Sequence, residues 1–163
     1  MFFSGLFATY FTLRAINLGP WPPDGAELEW QRALVFTALL VSSSGTMQMG
    51  VRAVARGDKP AFRRWTILTA VLGLAFLGNQ AVEWTTAPFS ASSHAFGSLF
   101  FTMTGFHGAH VTGGILAMAV LLGRSGAKRF GTASLPTVEV VSYYWHFVDV
   151  VWVIMFSILF FVK

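Results

Sequence analysis

Apolar residues along this chain come in long blocks and do not alternate with polar ones. Four blocks run from about residue 30 to 54, 65 to 84, 94 to 123 and 138 to 162. Each reaches the roughly 20 residues that a helix needs to cross a bilayer at ~1.5 Å rise per residue. Backbone groups in lipid must pair within their own segment, so these blocks predict helices; a barrel would need alternating stretches of about 10 residues. A shorter block, about 2 to 16, opens the chain and reads as half of a spanning helix, either completed by residues upstream or re-entrant. It has no basic flank and no small-residue cleavage site, which excludes a signal peptide. The prediction is an all-α, polytopic membrane bundle of five transmembrane helices in one domain over residues 1–163, the first helix truncated at its N-terminus.

The segments between the blocks carry the topology. "RAVARGDKPAFRR" at 52–64 holds Arg52, Arg56, Lys59, Arg63 and Arg64, and 124–129 holds Arg124, Lys128 and Arg129. "NLGPWPPDGAELE" is acidic and proline-rich, and "TTAPFSASS" is uncharged. The excess of Lys and Arg in cytoplasmic loops predicts that 52–64 and 124–129 lie in the cytoplasm. The chain then starts inside and ends outside at Lys163, as an odd number of crossings requires.

Composition agrees. The chain is 55% hydrophobic and 11% charged, against about a quarter charged in soluble domains. The net charge of +4 does not point to nucleic acid, because the basic residues gather between apolar blocks. Cysteine is absent, which excludes disulfides, thiolate metal sites and iron–sulfur clusters. No internal repeat supports an inverted-repeat transporter.

Ionisable residues within spanning helices are costly and usually functional. Here they are Glu83, His107, His110, His146 and Asp149, with Glu139 nearer the cytoplasmic end; Gln48, Asn79 and Gln80 are polar and uncharged. His107 and His110 are three apart, as are His146 and Asp149, and both pairs fall near mid-membrane. Three readings are open. Two histidines can hold a haem, but two on one helix turn cannot take opposite faces of it, so His146 would have to face His107 or His110. Glu83, the histidines and Asp149 can form a proton path. Or they are packing groups, bonded to each other or to facing helices, with Gly105, Gly108, Gly113 and Gly114 allowing close approach.

"GSLFFTMTGFHGAHVTGG" followed by "SYYWHFVDVVW" resembles subunit III of the haem–copper cytochrome c oxidases. "FFSGLFATYF", "WPP" and "NQAVEW" fit in order, so the resemblance covers essentially the whole chain. It is nearest the short five-helix bacterial form of the actinobacterial type, on "WPPDGAELE", "QMGVRAVARGD" and "VVSYYWHFVD". The resemblance implies an accessory subunit without redox centres that packs on catalytic subunit I and neighbours subunit II. Haem and copper then reside in those partners. It also implies bound phospholipid, support of stability and proton uptake, and association with a cytochrome bc complex. Glu83, His107, His110, His146 and Asp149 fall on matching motif positions and are carried over as a structural polar core. One departure stands out: the family has a Ser-Glu pair just upstream of the stretch matching "MFFSG". A longer natural chain carrying that glutamate is therefore expected. The competing classes are a stand-alone proton or solute transporter and a small haem-binding membrane cytochrome.

Overall fold

The computed structural model describes residues 2–23, 26, 29–127 and 130–162. Met1, Asp24, Gly25, Glu27, Leu28, Lys128, Arg129 and Lys163 lie outside the described residues. Five α-helices follow in order: α1 (Phe2–Ile16), α2 (Trp30–Ala55), α3 (Lys59–Thr86), α4 (Ala95–Arg124) and α5 (Leu135–Phe161), the last entered through a 3-10 turn, Thr132–Ser134. There is no strand among the described residues. The four later helices are long and apolar enough to cross a membrane; α1, at 15 residues, is shorter. At ~1.5 Å per residue α1 reaches about 22 Å, against a hydrocarbon core of about 30 Å.

The connection expected at 52–64 is far shorter than its charge pattern suggests. Helix α2 runs through Ala55 and α3 starts at Lys59, leaving Arg56, Gly57 and Asp58 between them. The local sequence explains this. Gly57 takes φ +74°, a conformation that costs other residues about 1–2 kcal/mol. Its N–H donates to the Val54 carbonyl (2.9 Å), and the Asp58 N–H donates to the Ala53 carbonyl (2.9 Å). That pair of bonds is the Schellman ending of a helix. Asp58 then caps the next helix, its carboxylate accepting from the Ala61 N–H (2.9 Å), with Pro60 in the first turn. Arg52, Arg63 and Arg64 therefore stand on helix ends and not on a loop.

Helices α2, α3, α4 and α5 close a ring in which each packs on two others, and α1 lies outside it against α4. The centre is filled by Leu40, Met47, Phe76, Met103, Met118, Trp145 and Met155, all essentially inaccessible. Large apolar side chains also cover the outside: Leu34, Ile67, Val71, Leu116, Val120 and Val150 are exposed. A surface as apolar as the core is what a lipid environment favours. Glycines set the closest approach. Trp145 of α5 fits between Gly73 of α3 and Gly114 of α4; a Cβ added at either would lie 2.7 or 2.6 Å from the indole.

Both basic connections lie at one end of the bundle and are tied together there. Arg63 Nε donates to Ser125 Oγ (2.7 Å), and Lys59 Nζ donates to the Ala127 carbonyl (3.2 Å). At the other end Trp21 packs edge-on between Tyr10 and Phe96, with ring centroids 5.6 and 5.5 Å away. The Tyr10 hydroxyl lies 3.3 Å from the Ile158 carbonyl, so α1 also touches the end of α5.

Candidate functional site

The five candidate residues fall into separate environments. His146 and Asp149 come together, as their spacing suggested, but through a third residue. Ser44 of α2 sits opposite them. Its hydroxyl donates to Asp149 Oδ2 and lies 2.8 Å from His146 Nδ1. A hydroxyl has one proton to give, so with that proton on Asp149, Ser44 Oγ accepts from His146 Nδ1–H. In a neutral ring Nε2 is then an acceptor, and Ser142 Oγ is placed to donate to it (3.2 Å). The result is a directed chain, Ser142 to His146 to Ser44 to Asp149, halfway along α5. Asp149 is 4% exposed, and its Oδ1 has no partner.

The same face of α2 serves two indoles of α5. Trp145 Nε1 donates to Ser43 Oγ and Trp152 Nε1 to Thr37 Oγ1, each at 2.9 Å. Thr37, Ser43 and Ser44 thus meet Trp152, Trp145 and the His146–Asp149 pair along one seam.

His107 and His110 do not meet. Three residues advance a helix by about 300°, leaving the two side chains about 60° apart, enough to aim them at different neighbours. His107 is fully buried, stacked near Trp152 (4.9 Å) and edge-on to Phe76 (5.6 Å). Neither of its ring nitrogens has a hydrogen-bond partner. His110 points to α1, against Phe3 (5.1 Å). Its Nδ1 lies 2.7 Å from the Phe106 carbonyl of its own helix, while Tyr144 of α5 donates to the His110 carbonyl (3.1 Å). His94 is the N-cap of α4: its Nδ1 accepts from the Gly97 N–H at 2.8 Å.

Glu83 stands apart from every histidine contact. It lies one turn from Asn79 on α3, and the charged groups that act on it are Arg32 of α2 and Glu29 just before α2. Arg32 Nε in turn donates to Asn79 Oδ1 (2.7 Å). Among the described residues no three His, Asp or Glu side chains gather as a metal-binding set.

Sequence reasoning missed Ser44, Ser43, Thr37 and Arg32. Hydroxyls in helices usually bond back to their own backbone, as Ser42 and Thr46 do here, so they gave no signal. Arg32 falls near a helix start, where a charge is unremarkable in sequence.

The architecture is that of a polytopic helical membrane subunit whose buried polar groups tie neighbouring helices. The family model described as Cytochrome c oxidase subunit III matches residues 1–163. A Mycobacterium tuberculosis protein named "Probable cytochrome c oxidase subunit 3" is 47% identical over 166 residues, covering 100% of this chain and 82% of that protein. "Cytochrome c oxidase subunit 3" of Corynebacterium diphtheriae is 47% identical over 168 residues, with the same coverage. That of Thermostichus vulcanus is 38% identical over 161 residues, covering 98% and 80%. The chain belongs to the cytochrome c oxidase subunit III family.

Proposed function

We propose that this chain is the accessory third subunit of a proton-pumping terminal oxidase in a bacterial plasma membrane. It packs on catalytic subunit I, near subunit II, supports stability and proton uptake, and carries no redox centre of its own. Haem and copper belong to the partner subunits, and in this setting a cytochrome bc complex can join the assembly. The observation that carries the reading is the match to the subunit III family over the full chain.

The geometry supports a packing role for the polar residues. His146 and Asp149 each bond Ser44 of α2, and the nitrogens of His94 and His110 nearest protein acceptors or donors are engaged with backbone. The contiguous hydrogen bonds of Ser142, His146, Ser44 and Asp149 give protons a local route, which supports a part in proton uptake. Bound phospholipid has a suitable seat on the outside of α3. A hollow of about 300 Å³ is lined by Arg64, Trp65 and Leu68, offering a cation, an interfacial indole and an apolar side chain. The basic helix ends at Arg52 to Arg64 and Arg124 face the cytoplasm in this reading, with the C-terminus outside.

Gentle detergent extraction from the native membrane, with an absorbance spectrum and a mass-spectrometric partner list, tests the proposal. Haem-bearing subunits I and II accompany the chain, and the haem spectrum stays with them when the chain is stripped away. A chain that purifies alone and transports protons or solute in liposomes overturns it. So does an isolated chain that keeps a Soret band.

A further inference from the structure

The polar residues of α5 form one stripe. Glu139, Ser142, His146 and Asp149 are separated by three, four and three positions, the spacing of a single helix face. On α2, Arg52, Gln48 and Ser44 are spaced by four. The two helices run antiparallel, since Ser43 meets Trp145 and Thr37 meets Trp152. Both stripes therefore lead inward from the end that holds the basic connections. Arg52 is exposed, Glu139, Gln48, Ser44 and His146 are half-buried, and Ser142 and Asp149 are buried. Beyond Asp149 the way is closed. Its Oδ1 has no partner. The indoles of Trp145 and Trp152 can only donate, and the hydroxyls they reach, Ser43 and Thr37, donate to backbone carbonyls of their own helix.

Hydrogen bonds with one open end and one closed end can load a proton but cannot pass it on. We infer that Asp149 is a one-proton store, filled through His146 and Ser44. The inference rests on the reading above that these bonds support proton uptake, and it gives the proton a resting place. In the empty state Asp149 is a carboxylate, Ser44 donates to it, and His146 Nδ1–H donates to Ser44. A proton from water at the half-buried edge of His146 binds Nε2. The Nδ1–H bond breaks as a new O–H bond forms on Ser44, and the old Ser44 O–H bond breaks as one forms on Asp149 Oδ2. His146 is neutral again, with its hydrogen on Nε2, and Asp149 has gone from charge −1 to neutral. Each hydrogen bond survives with donor and acceptor exchanged, Ser142 now accepting from Nε2–H. The unpartnered Oδ1 favours this neutral state over a carboxylate facing an imidazolium, because a buried charge needs more partners than a buried acid. The surroundings add no charge that would reverse the preference. Neither α2 from Ala33 to Val51 nor α3 from Trp65 to Val82 has a titratable side chain. From α4 come His107, against Trp152, and His110, turned to α1. From α1 comes Tyr10, at the far end of α5. On α5 itself the other titratable groups are Glu139, Tyr143 and Tyr144.

Infrared spectroscopy of the intact purified oxidase across pH tests the store. Asp149→Asn identifies the carboxylic C=O band of Asp149, and His146→Gln identifies the ring bands of His146. Carbon-13 aspartate labelling identifies the first band where Asp149→Asn does not assemble. As pH falls, the Asp149 band should appear while His146 changes from the Nδ1–H to the Nε2–H tautomer, at one shared midpoint. Ser44→Ala keeps both groups and removes the link, so the tautomer should no longer follow the carboxyl. An imidazolium at His146, a fixed tautomer, or coupling that survives Ser44→Ala overturns the inference, and a packing role alone would produce no linked change. After a rapid drop in pH, the Asp149 band should rise at least about tenfold more slowly in His146→Gln than in the wild type. An equal rate overturns entry through His146. If haem-bearing subunits co-purify but the two groups titrate independently, only the store fails. If no haem-bearing subunit accompanies the chain, the oxidase reading fails, and the linked titration is still read on this chain's own groups.

Discussion

Ser44 on α2 donates a hydrogen bond to Asp149 on α5, across 105 positions of sequence, and the same oxygen meets His146. One hydroxyl therefore satisfies two ionisable side chains near the middle of the bundle. Asp149 already has one oxygen without a partner, so it depends heavily on this bond.

Ser44→Ala removes the bridge without removing either ionisable group. It leaves Asp149 with no side-chain donor and His146 without its α2 partner, and the expected loss is about 1–3 kcal/mol. Ser42→Ala is the matched control, because the Ser42 hydroxyl is exposed and bonds only the Leu39 carbonyl of its own helix (2.7 Å). Unfolding of the purified oxidase followed in mixed detergent should separate the two variants. Equal midpoints would show that the Ser44 bridge contributes nothing net.

His107 leads to the opposite expectation. Its ring is sealed between Phe76 and Trp152 with both nitrogens unpartnered. Replacing a buried polar group that has no partner by an apolar one of similar size is close to neutral or stabilising. His107→Leu should therefore unfold at the same midpoint as the wild type or higher, and the oxidase should assemble with it. A loss of more than about 2 kcal/mol would mean that the imidazole has a partner, such as an ordered water. The measurement is the same unfolding assay, read beside assembly yield.

The glycines around Trp145 make a sharper steric prediction. Gly114→Ala puts a methyl group 2.6 Å from the indole, and Trp145 is held on its far side by α3. Overpacking of this kind costs about 1–3 kcal/mol. Gly78→Ala, where a Cβ meets nothing within 4 Å, should cost nothing and can gain from helix propensity. If the clash with the indole is the cause, Trp145→Phe should recover part of the Gly114→Ala loss, giving a coupling of about 0.5 kcal/mol or more in a double-mutant cycle. Additive losses would place the cost elsewhere.

These relationships also show what a sequence of this kind reveals. The long helices were legible because a span must be apolar over its whole length, a signal that needs no knowledge of neighbours. The turn at Gly57 was legible in principle: "RGDKP" carries a left-handed C-terminal glycine, an N-cap aspartate and a first-turn proline in succession. Counting its flanking arginines as loop residues hid it. The pairing of His146 with Asp149 followed from spacing, but their shared partner did not. Ser42, Ser43 and Ser44 are chemically identical in sequence, and only the rotation of α2 against α5 decides which one faces the pair. The two histidines of "FHGAH" show the same limit from the other side. A separation of three places them on one broad face, yet 60° of rotation sends one into the core and the other to α1.

The contact of α2 and α3 at the end away from the basic connections offers a last prediction, this time about charge. Arg32 Nε donates to Asn79 Oδ1 at 2.7 Å, and Glu83 lies four residues on, on the same face of α3. Asn79→Ala removes the acceptor from a part-buried guanidinium and should cost about 1.5–3 kcal/mol, the range for bonds to charged groups. Asn79→Asp is more informative. It keeps an acceptor and adds attraction to Arg32, but it also sets a second carboxylate one turn from Glu83, and like charges at that spacing repel. In the wild-type background the two effects oppose, so the net change should be small. In a Glu83→Gln background the repulsion is gone, and Asn79→Asp should then stabilise by about 0.5 kcal/mol or more relative to its effect in the wild type. The cycle is read from unfolding midpoints of the four variants at low and high salt. Coupling that shrinks with salt marks a solvent-accessible charge cluster at the helix ends, and coupling of zero would mean that the carboxylates at positions 79 and 83 do not repel.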